Sequence, residues 1–464
     1  MTDSSKPLNY VSFFRAINPS KTLRVSRDED RKYYIDFTQV RGVDIVRRLK
    51  HRIAVLLDDQ PSCSLFTGHI GCGKSTELNK LQAELESEGF CVVNFESDED
   101  LDMADVDVVD VLLIVARRVS QTLEKITEPE AKGLRRLLER TTEVLMTDID
   151  IKASFGVPIP GEESSLKGGF DTEKKSFSLS AGIASLTIKA KNDPTIRERL
   201  SQYLNPQITG LLKTINEDLL EPGIESLKAK GYAGLVVIVD NLDRLDNRQK
   251  PSGRLQQEYL FVDRGHILSQ LACHTIYTMP LGLRFSNEFG NLTQRFHYQP
   301  ECLPMIALKR RTGEDCLEGL EKLKQMVLAR AFPDLTESQR LERVGEIFDS
   351  MAVFDRLCRV SGGHVRDLLQ LLAQWLEEEM QLPLTAATLE GTIANRCNEM
   401  TLAISQEEWH LLNQVRQTKQ VQDEVGYNKL IRSRMVFEYR EDRTSWFDVN
   451  PILLESPNLT PDPS

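Results

Sequence analysis

The sequence lacks the features that direct a chain to an oxidising compartment, a membrane or a structural metal. Its eight cysteines, at positions 63, 72, 91, 273, 302, 316, 358 and 397, include no C-x-x-C pair and no metal-ligand spacing. In a chain of this size, such scattering is typical of reduced thiols in core positions. No apolar run is long enough to cross a bilayer, and the first residues lack the basic-then-apolar pattern of a secretion signal. We therefore expect a cytoplasmic protein with no membrane association.

The chain also has fewer positively charged than negatively charged side chains. Lysine and arginine total 58 residues against 70 aspartates and glutamates, which gives a formal net charge of −12. This balance disfavours broad, non-specific binding to nucleic acid or to a membrane surface, although a local basic patch is compatible with it. Apolar residues make up 40% of the 464 positions, enough for substantial cores. The length is that of about three domains.

What the sequence does contain is an uninterrupted phosphate-binding loop at residues 68–75, of the pattern G-x-x-x-x-G-K-[ST]. Its glycines let successive backbone N–H groups point at phosphate oxygens. The ammonium of Lys74 and the hydroxyl of Ser75 would meet the β/γ-phosphates and Mg²⁺, respectively. The predicted nucleotide-binding residues are Gly68, His69, Ile70, Gly71, Cys72, Gly73, Lys74, Ser75 and Thr76.

The residues on either side of the loop support a functional site over a chance match. A short apolar run at residues 64–66 predicts a strand that enters the loop. Leu78, Leu81 and Leu85 recur at helical spacing after the loop, and Gly89 is a suitable C-terminal stop. The predicted helix would therefore point its positive dipole end at the phosphates.

A second run, Leu235–Asp240, has the continuous β-branched character of a strand covered on both faces. Its final acid lies where ligands bind in such sheets, so Asp240 is predicted to bind Mg²⁺ together with Ser75. Many ATPases place a glutamate next, but this chain has Asn241, which can hydrogen-bond a water and cannot accept its proton. Asp243 either orients the water or forms an ion pair with Arg244 or another neighbour.

Two later residues complete the predicted catalytic set of Lys74, Asn241, Asp243, Thr278 and Arg366. Thr278 lies near the end of a strand-like run at residues 273–279, where it either contacts the γ-phosphate or water, or satisfies the loop backbone. Arg366 lies in the first turn of a predicted helix, where the helix dipole disfavours a cation. We interpret Arg366 as a contact to the γ-phosphate.

These residues resemble those of P-loop ATPases of the AAA+/STAND class, in particular the KAP-type and origin-recognition-like ATPases. The matching segments are residues 68–75, residues 235–244 with their D-x-L-D-R ending, Thr278, and residues 362–366. The resemblance covers roughly residues 35–145 and 195–450. It implies an α/β fold with a P-loop NTPase core, in which helices flank a parallel sheet, followed by an α-helical lid. It also implies Mg²⁺-dependent ATP hydrolysis, slowed by Asn241.

The pattern along the chain predicts seven segments. These are an N-terminal segment (1–36), the first part of the ATPase core (37–148), a β-rich insertion (149–193), the second part of the core (194–300), the helical lid (301–400), a winged-helix-like domain (401–455) and a disordered tail (456–464). In the insertion, Phe177, Leu179, Ala181 and Ile183 alternate at period two, as do Leu186, Ile188 and Ala190. The phase slips near residues 184–185, as at a bulge or turn, which predicts a β-hairpin. The hairpin either contacts a partner or folds on its own domain.

The C-terminal domain is predicted from two helices, at residues 405–414 and 425–434, followed by paired strands. In a DNA-binding version of this fold, Lys429, Arg432 and Arg434 would face the groove. From residue 401 onward, however, the chain has seven bases and ten acids. This balance favours a protein partner over DNA.

Three functions are open on these grounds. The favoured one is an ATP-binding, slowly hydrolysing switch whose nucleotide state controls homo-oligomerisation or partner binding in a defence or signalling system. The second is a DNA-engaging ATPase of origin-recognition or transposition-helper type. The third is a nucleotide-binding scaffold that never hydrolyses ATP, for which Asn241 is the best support.

Overall fold

The computed structural model describes residues 8–126, 131–146, 178–421 and 424–459. Its centre is a parallel sheet of five strands, ordered β2-β3-β4-β1-β5: β1 (Cys63–Gly68), β2 (Cys91–Glu96), β3 (Leu235–Asp240), β4 (His274–Thr278) and β5 (Glu301–Leu303). Because all five strands run in one direction, their carboxyl ends meet at one edge. The P-loop follows β1 at that edge, and Asp240 ends β3 beside it. The predicted α/β fold is confirmed.

Helices cover both faces of the sheet, which explains why β3 is apolar at every position before its final acid. Val237 and Val239 pack against the long helix Val108–Ile126 in one core, whereas Val236 and Ile238 pack with the P-loop helix in the other. Every residue of β3 is buried. The strand β5 lies within the segment assigned to the lid, so the sheet extends to Leu303.

The helices follow the predicted spacing through most of the chain. Their bounds are Tyr10–Ala16, Asp28–Arg31, Thr38–Arg41, Ile45–His51, Lys74–Ser87, Val108–Ile126, Lys132–Met146, Leu179–Asn192, Pro194–Leu204, Ile208–Ile215, Glu221–Ala229, Gln256–Glu258, Gly265–Leu268, Phe289–Phe296, Leu317–Ala331, Glu337–Glu342, Met351–Val360, Val365–Glu379, Ala386–Thr401, Gln406–Thr418 and Glu424–Arg432. Short π or 3₁₀ turns occur at Arg52–Leu56, Ser97–Glu99, Asn205–Gln207, Asn216–Leu220, Leu242–Arg244, Tyr259–Asp263, Leu281–Phe285, Val344–Glu346 and Pro451–Glu455.

The predicted β-hairpin in the insertion is wrong for the residues that the structure describes. Residues 179–192 form one helix, capped by the Ser178 side chain, which accepts from the Ala181 N–H. The buried positions Leu179, Ile183, Leu186 and Ala190 are spaced by four, three and four residues, which is the helical period. The apparent slip in the strand pattern near residues 184–185 was therefore the signature of a helix. The part of the insertion at residues 149–177 lies outside the described residues.

The lid and the C-terminal domain form two further cores. Trp375 is fully buried in the lid core, and Tyr427 and Leu430 lie in the C-terminal one. The predicted pair of strands is present as an antiparallel hairpin of β6 (Val436–Glu441) and β7 (Thr444–Val449). Two helices followed by this hairpin confirm the predicted winged-helix-like elements.

Acidic residues just after β2 are held by arginines. Asp100 accepts from Arg117 and Arg118 at 2.8 Å each, and Asp110 pairs with Arg197 at 3.1 Å. Among the described residues, no cluster of three or more His, Cys, Asp or Glu could hold a metal ion. In the same ranges, no helix is both long and apolar enough to cross a membrane.

Candidate functional site

The P-loop borders a candidate ligand cavity near the carboxyl edge of the sheet. Gly73, with φ of 109°, is the N-cap of the helix Lys74–Ser87. Asp240 and Asp243, together with residues of the lid and of the N-terminal segment, line the same cavity as the loop. The cavity has an empty volume of about 890 Å³. It is lined by Pro19, Ser20, Lys21, Thr22, Leu23, Tyr33, Tyr34, Ile35, Phe37, Arg41, Ile70, Gly71, Cys72, Gly73, Lys74, Ser75, Thr76, Glu77, Asp240, Asn241, Asp243, Arg244, Met326, Arg330, Val365, Arg366 and Leu369.

The Lys74 ammonium is buried and fully engaged by the loop and by Asp243. It donates to the carbonyl oxygens of Gly68 and His69, at 2.8 and 2.9 Å, and lies 2.8 Å from Asp243 Oδ2. Burial alone would lower the pKa of Lys74, but the charge of Asp243 outweighs it and the pKa lies above its usual value. Lys74 is therefore a fixed cation at the mouth of the loop. Of the roles considered for Asp243, the structure places it in an ion pair with this lysine.

Ser75 and Asp240 meet as the sequence predicts for a divalent cation. Burial and the nearby charge of Asp243 raise the pKa of Asp240, against a hydrogen bond from Ser75 and the charge of Lys74. Two buried carboxylates that repel one another gain from a divalent cation between them and the phosphates. A hydroxyl and a carboxylate are hard oxygen ligands, which suit Mg²⁺. The residues present therefore fit this ion.

The Asn241 side chain contacts acids at and just beyond the end of β2. Its backbone is left-handed, with φ of 65°, and its side-chain amide donates to Glu96 Oε2 at 2.9 Å and to Asp98 Oδ1 at 2.8 Å. Arg244 pairs with Asp98 Oδ2 at 2.7 Å. The amide thus holds the carboxyl end of β2. Glu96 ends β2 as Asp240 ends β3, and the two residues are partners in the parallel pairing of these strands.

Thr278 is buried in the sheet and does not line the cavity. Its hydroxyl donates to the carbonyl oxygen of Val239 at 3.4 Å. The backbone-satisfying role considered for this residue is the one that the structure shows.

The lid contacts the P-loop through His364 and Arg366. The His364 Nε2–H donates to the Ile70 carbonyl at 2.9 Å, while Nδ1 accepts from the Asp367 N–H at 3.1 Å. The Arg366 N–H donates to the Gly71 carbonyl at 3.3 Å. Gly71 has φ of +92°, and a Cβ there would lie 2.8 Å from the His364 ring. Only glycine permits this close approach.

The Arg366 guanidinium lies among cations in the cavity. Burial, and then the charges of Arg244 and Arg434, lower the pKa of Arg366. No carboxylate within 4.0 Å neutralises it in the described part of the chain. A guanidinium group in this environment is suited to binding an anionic ligand.

Two further arginines line the cavity that sequence analysis did not place there. Arg41, 3% exposed, donates from Nη2 to the Cys72 carbonyl at 2.7 Å, but Nε and Nη1 have no hydrogen-bond partner among the described residues. Arg330 comes from the lid helix Leu317–Ala331, and burial lowers its pKa to about 10, so it is charged at neutral pH. No local motif marks either residue, because each approaches the loop from a distant part of the chain.

The N-terminal segment supplies the aromatic wall of the cavity. Tyr33, Tyr34 and Phe37 line it, and the Tyr34 hydroxyl donates to Glu77 Oε2 at 3.4 Å. Flat aromatic faces next to a cationic loop are compatible with a planar base attached to a polyphosphate. The sequence predicts a separate N-terminal segment (1–36) and a core that begins at residue 37. Residues on both sides of this boundary line the site.

The β6–β7 hairpin also contacts the P-loop. The Glu438 N–H donates to His69 Nε2 at 3.0 Å, and the Phe437 ring stacks on His364 with centroids 5.5 Å apart. Arg284 holds the Glu438 carboxylate with contacts of 2.8 and 2.6 Å. Burial, followed by the charges of His364 and Lys74, keeps the pKa of His69 well below its usual value, so His69 is neutral and can accept. Neither contact was predicted.

Comparisons with known proteins give structural similarities without sequence matches. No protein-family model matches the chain, and no curated protein matches it. Similar solved structures include the Walker-type ATPase PABY2304 of Pyrococcus abyssi, with 12% identity, a TM-score of 0.36, and 95% of this chain and 99% of that chain covered. Cdc6p of Pyrobaculum aerophilum (10%, 0.36, 98% and 97%) and the Aeropyrum pernix ORC1 protein in complex with DNA (14%, 0.36, 96% and 96%) are also similar. Similarity at these TM-scores adds nothing to the inferences from geometry.

Proposed function

We propose that this protein is an ATP-binding switch of the P-loop ATPase type, in which the lid and the C-terminal hairpin both register the nucleotide. The observation that carries the proposal is a run of three loop residues with long-range bonds. His69 bonds to the hairpin, Ile70 bonds to His364 of the lid, and Gly71 bonds to the Arg366 backbone. A ligand that moves this loop must alter contacts with both elements.

The charges of the cavity support a polyphosphate ligand. Lys74 and Arg244 have carboxylate partners, whereas Arg41, Arg330 and Arg366 have none within 4.0 Å among the described residues. Three such guanidinium groups around one loop match the several negative charges of ATP. Ser75 and Asp240 would hold Mg²⁺, which neutralises developing charge during phosphoryl transfer.

A switch also requires that the two nucleotide states make different contacts. Lys74 of the core and Arg366 of the lid line the same cavity, so a γ-phosphate bound there would have a cation of each as a candidate contact. Its loss on hydrolysis would leave Arg366 without that contact. The Arg366 backbone is bonded to Gly71, so the change would reach the interface of lid and loop. We infer that this motion controls homo-oligomerisation or the binding of a protein partner.

Binding of MgATP, measured by titration calorimetry, tests the first part of this proposal. We expect the wild type to bind and Lys74→Ala to lose about 10- to 100-fold in affinity, because a charge-assisted phosphate contact is removed. Lys213→Ala, which changes an exposed lysine paired with Glu217, serves as the control and should bind as the wild type does. Failure of the wild type to bind ATP would contradict the proposal as a whole.

Light scattering of the protein alone, with ADP and with a non-hydrolysable ATP analogue, tests the second part. We expect the molar mass, or the hydrogen exchange of residues 436–449, to change with the ATP analogue and not with ADP. Binding without either change would leave a nucleotide site and remove the switch.

The DNA-engaging alternative has less support from the geometry. Lys429 is 2.6 Å from Glu408, and Arg434 is 2.8 Å from Asp367. Arg432 is exposed at the rim of a crevice next to the P-loop, with its aliphatic stem near Gly282. Two of the three bases expected to face a groove are therefore paired with acids within the molecule, which favours a protein partner over DNA.

A further inference from the structure

Many P-loop ATPases use a carboxylate that can take a proton from the attacking water. Asn241 cannot serve, since an amide has no basic site. Asp243 is also poorly suited, because its Oδ2 lies 2.8 Å from the Lys74 ammonium in a pair whose two side chains are both 5% exposed. The nucleotide site that we propose is therefore incomplete without another acid.

Glu96 lies next to the metal-binding position. In the parallel pairing of β2 with β3, Glu96 is the register partner of Asp240, and adjacent strands are about 4.8 Å apart. Both residues end their strands at the carboxyl edge. Together with Ser75 they line a polar cavity with an empty volume of about 1390 Å³. A water in this cavity would have the Ser75–Asp240 pair and the Glu96 carboxylate as neighbours.

The Glu96 carboxylate is held by Asn241. The Asn241 amide donates to Glu96 Oε2 at 2.9 Å and also to Asp98 Oδ1 at 2.8 Å, and Arg244 fixes Asp98 from the other side. The left-handed backbone at Asn241, with φ of 65°, turns its side chain toward β2. Asparagine tolerates this conformation better than most residues. One carboxylate oxygen of Glu96 is thus fixed by the amide, and Oε1 has no such bond among the described contacts.

We propose that Glu96 is the carboxylate that orients and deprotonates the attacking water, and that Asn241 is its positioning residue. The inference rests on the proposed function. The water oxygen forms a bond to the γ-phosphorus as the bond from that phosphorus to the β–γ bridging oxygen breaks. The water proton passes to Glu96, and the bridging oxygen leaves with its electron pair on ADP. The acid absent after Asp240 is supplied by the neighbouring strand.

Glu96→Gln is the most direct test, because glutamine retains an oxygen that can accept from Asn241 but cannot take a proton. Phosphate release at saturating ATP and Mg²⁺ should fall about 100-fold or more, as for loss of a general base. Affinity for MgATP should stay within about twofold of wild type. Glu390→Gln is the matched control, since Glu390 lies on the lid helix Ala386–Thr401, outside this cavity, and accepts from Arg356 at 2.9 Å. It should release phosphate as the wild type does.

The outcomes separate this inference from the function on which it rests. Wild-type turnover in Glu96→Gln would overturn the role of Glu96 and leave ATP binding intact. A wild type that binds ATP without releasing phosphate would also overturn the role of Glu96 and leave ATP binding intact. A rise in the Mg²⁺ concentration needed for ATP binding, with turnover restored at high Mg²⁺, would make Glu96 a metal-site residue instead. Loss of ATP binding by the wild type would contradict the proposed function itself.

A double-mutant cycle tests the role of Asn241. Asn241→Ala should lower turnover about 10-fold in the wild-type background, because Glu96 loses the bond that orients it. In the Glu96→Gln background the same change should have little further effect, since the base is already absent. Additive losses in the two backgrounds would show that Asn241 acts through a route other than Glu96.

Discussion

Arg41 is the residue whose environment is hardest to explain without a ligand. Its side chain is 3% exposed, and two of its three guanidinium nitrogens have no hydrogen-bond partner among the described residues. Burying a charge without compensation is costly, and proteins rarely retain such a group for stability alone. Arg41 lies against Gly73 and the Cys72 carbonyl, at the loop that would hold phosphates. A bound anion would supply the missing partner.

Arg41→Met is expected to affect binding and stability in opposite directions. Methionine keeps much of the volume and removes the buried charge, so the melting temperature without nucleotide should stay the same or rise. Affinity for MgATP should fall about 10- to 100-fold, the cost of a lost charge-assisted bond. Calorimetry and thermal unfolding of the same samples check both. Arg15→Met, at an exposed position, is the control. A large drop in melting temperature with unchanged affinity would assign Arg41 a purely structural role.

His274 predicts how stability depends on pH. Burial lowers its pKa from 6.5 to about 4, while its Nδ1 lies 2.9 Å from the Ser62 hydroxyl. Below pH 6.5 the unfolded chain binds a proton at this residue that the folded chain does not, so stability falls as the pH falls. The difference between the two values corresponds to roughly 3 kcal/mol once the pH reaches the folded-state pKa.

Thermal unfolding of the wild type and His274→Gln between pH 7 and pH 5 measures this contribution. The melting temperature of the wild type should fall more steeply than that of the variant, because glutamine does not titrate. The other histidines and the carboxylates are common to both proteins and cancel in the comparison. Parallel curves would mean that His274 titrates alike in the folded and unfolded chain.

At the scale of elements, the β6–β7 hairpin and the lid meet the P-loop as one interface. Phe437 is at its centre, with its ring stacked on His364 and edge-on to His69, whose centroid lies 5.4 Å away. Tyr439 ties the hairpin to the lid by donating to the Gly362 carbonyl at 2.8 Å. Any movement of His69 on nucleotide binding would therefore change its contacts with the hairpin.

Phe437→Leu should weaken this coupling without emptying the nucleotide site. Leucine keeps an apolar side chain but removes the ring contacts, at a cost of about 1–2 kcal/mol in unfolding free energy. We expect MgATP affinity within about threefold of wild type, and a smaller nucleotide-dependent change in hydrogen exchange at residues 436–449. Phe285→Leu is the control, because Phe285 packs edge-on to Phe447, away from the loop. An undiminished exchange response in Phe437→Leu would exclude the hairpin as the element that registers the nucleotide.

The elements also show which features sequence patterns can predict. The P-loop and the strand ending in Asp240 are contiguous motifs whose residue types have few alternative explanations, and the strands and helices around them follow. The β-hairpin prediction for the insertion was wrong because Leu179, Ile183, Leu186 and Ala190 satisfy the helical period while their neighbours also alternate at period two. Short apolar runs are ambiguous in this way, and packing against other helices decides between the two structures.

The residues of the site likewise divide into those that the sequence can predict and those that it cannot. Lys74, Ser75 and Asp240 meet because a parallel sheet brings the ends of its strands together, so their positions could be predicted. Arg41 and Glu96 reach the site through tertiary packing of the N-terminal segment and through the order of strands. Neither is encoded in a local pattern. Sheet order in particular is needed to see that Glu96 neighbours Asp240.

For the whole molecule, the sign and placement of charge separate the two kinds of partner. The net charge is −12, and the C-terminal region has more acids than bases. A protein that neutralises about six DNA phosphates loses affinity with a slope near −5 in a plot of log K against log salt. The exposed Lys429 is balanced by Glu408, and burial lowers the pKa of Arg432 in its crevice, with Asp246 acting in the other direction.

We therefore expect weak DNA binding at about 0.15 M salt and a shallow slope against salt concentration, with or without ATP. The double variant Lys429→Ala/Arg432→Ala should change the affinity for duplex DNA by less than about twofold, because Lys429 is already paired with Glu408 and the surrounding C-terminal region has more acids than bases. Fluorescence anisotropy over a range of salt concentrations measures both quantities. Arg443→Ala, in the exposed turn between β6 and β7, is the control for removing a surface charge. Nanomolar affinity that depends on ATP and is lost in the double variant would contradict the protein-partner proposal, because these two bases would then form part of a DNA-binding surface.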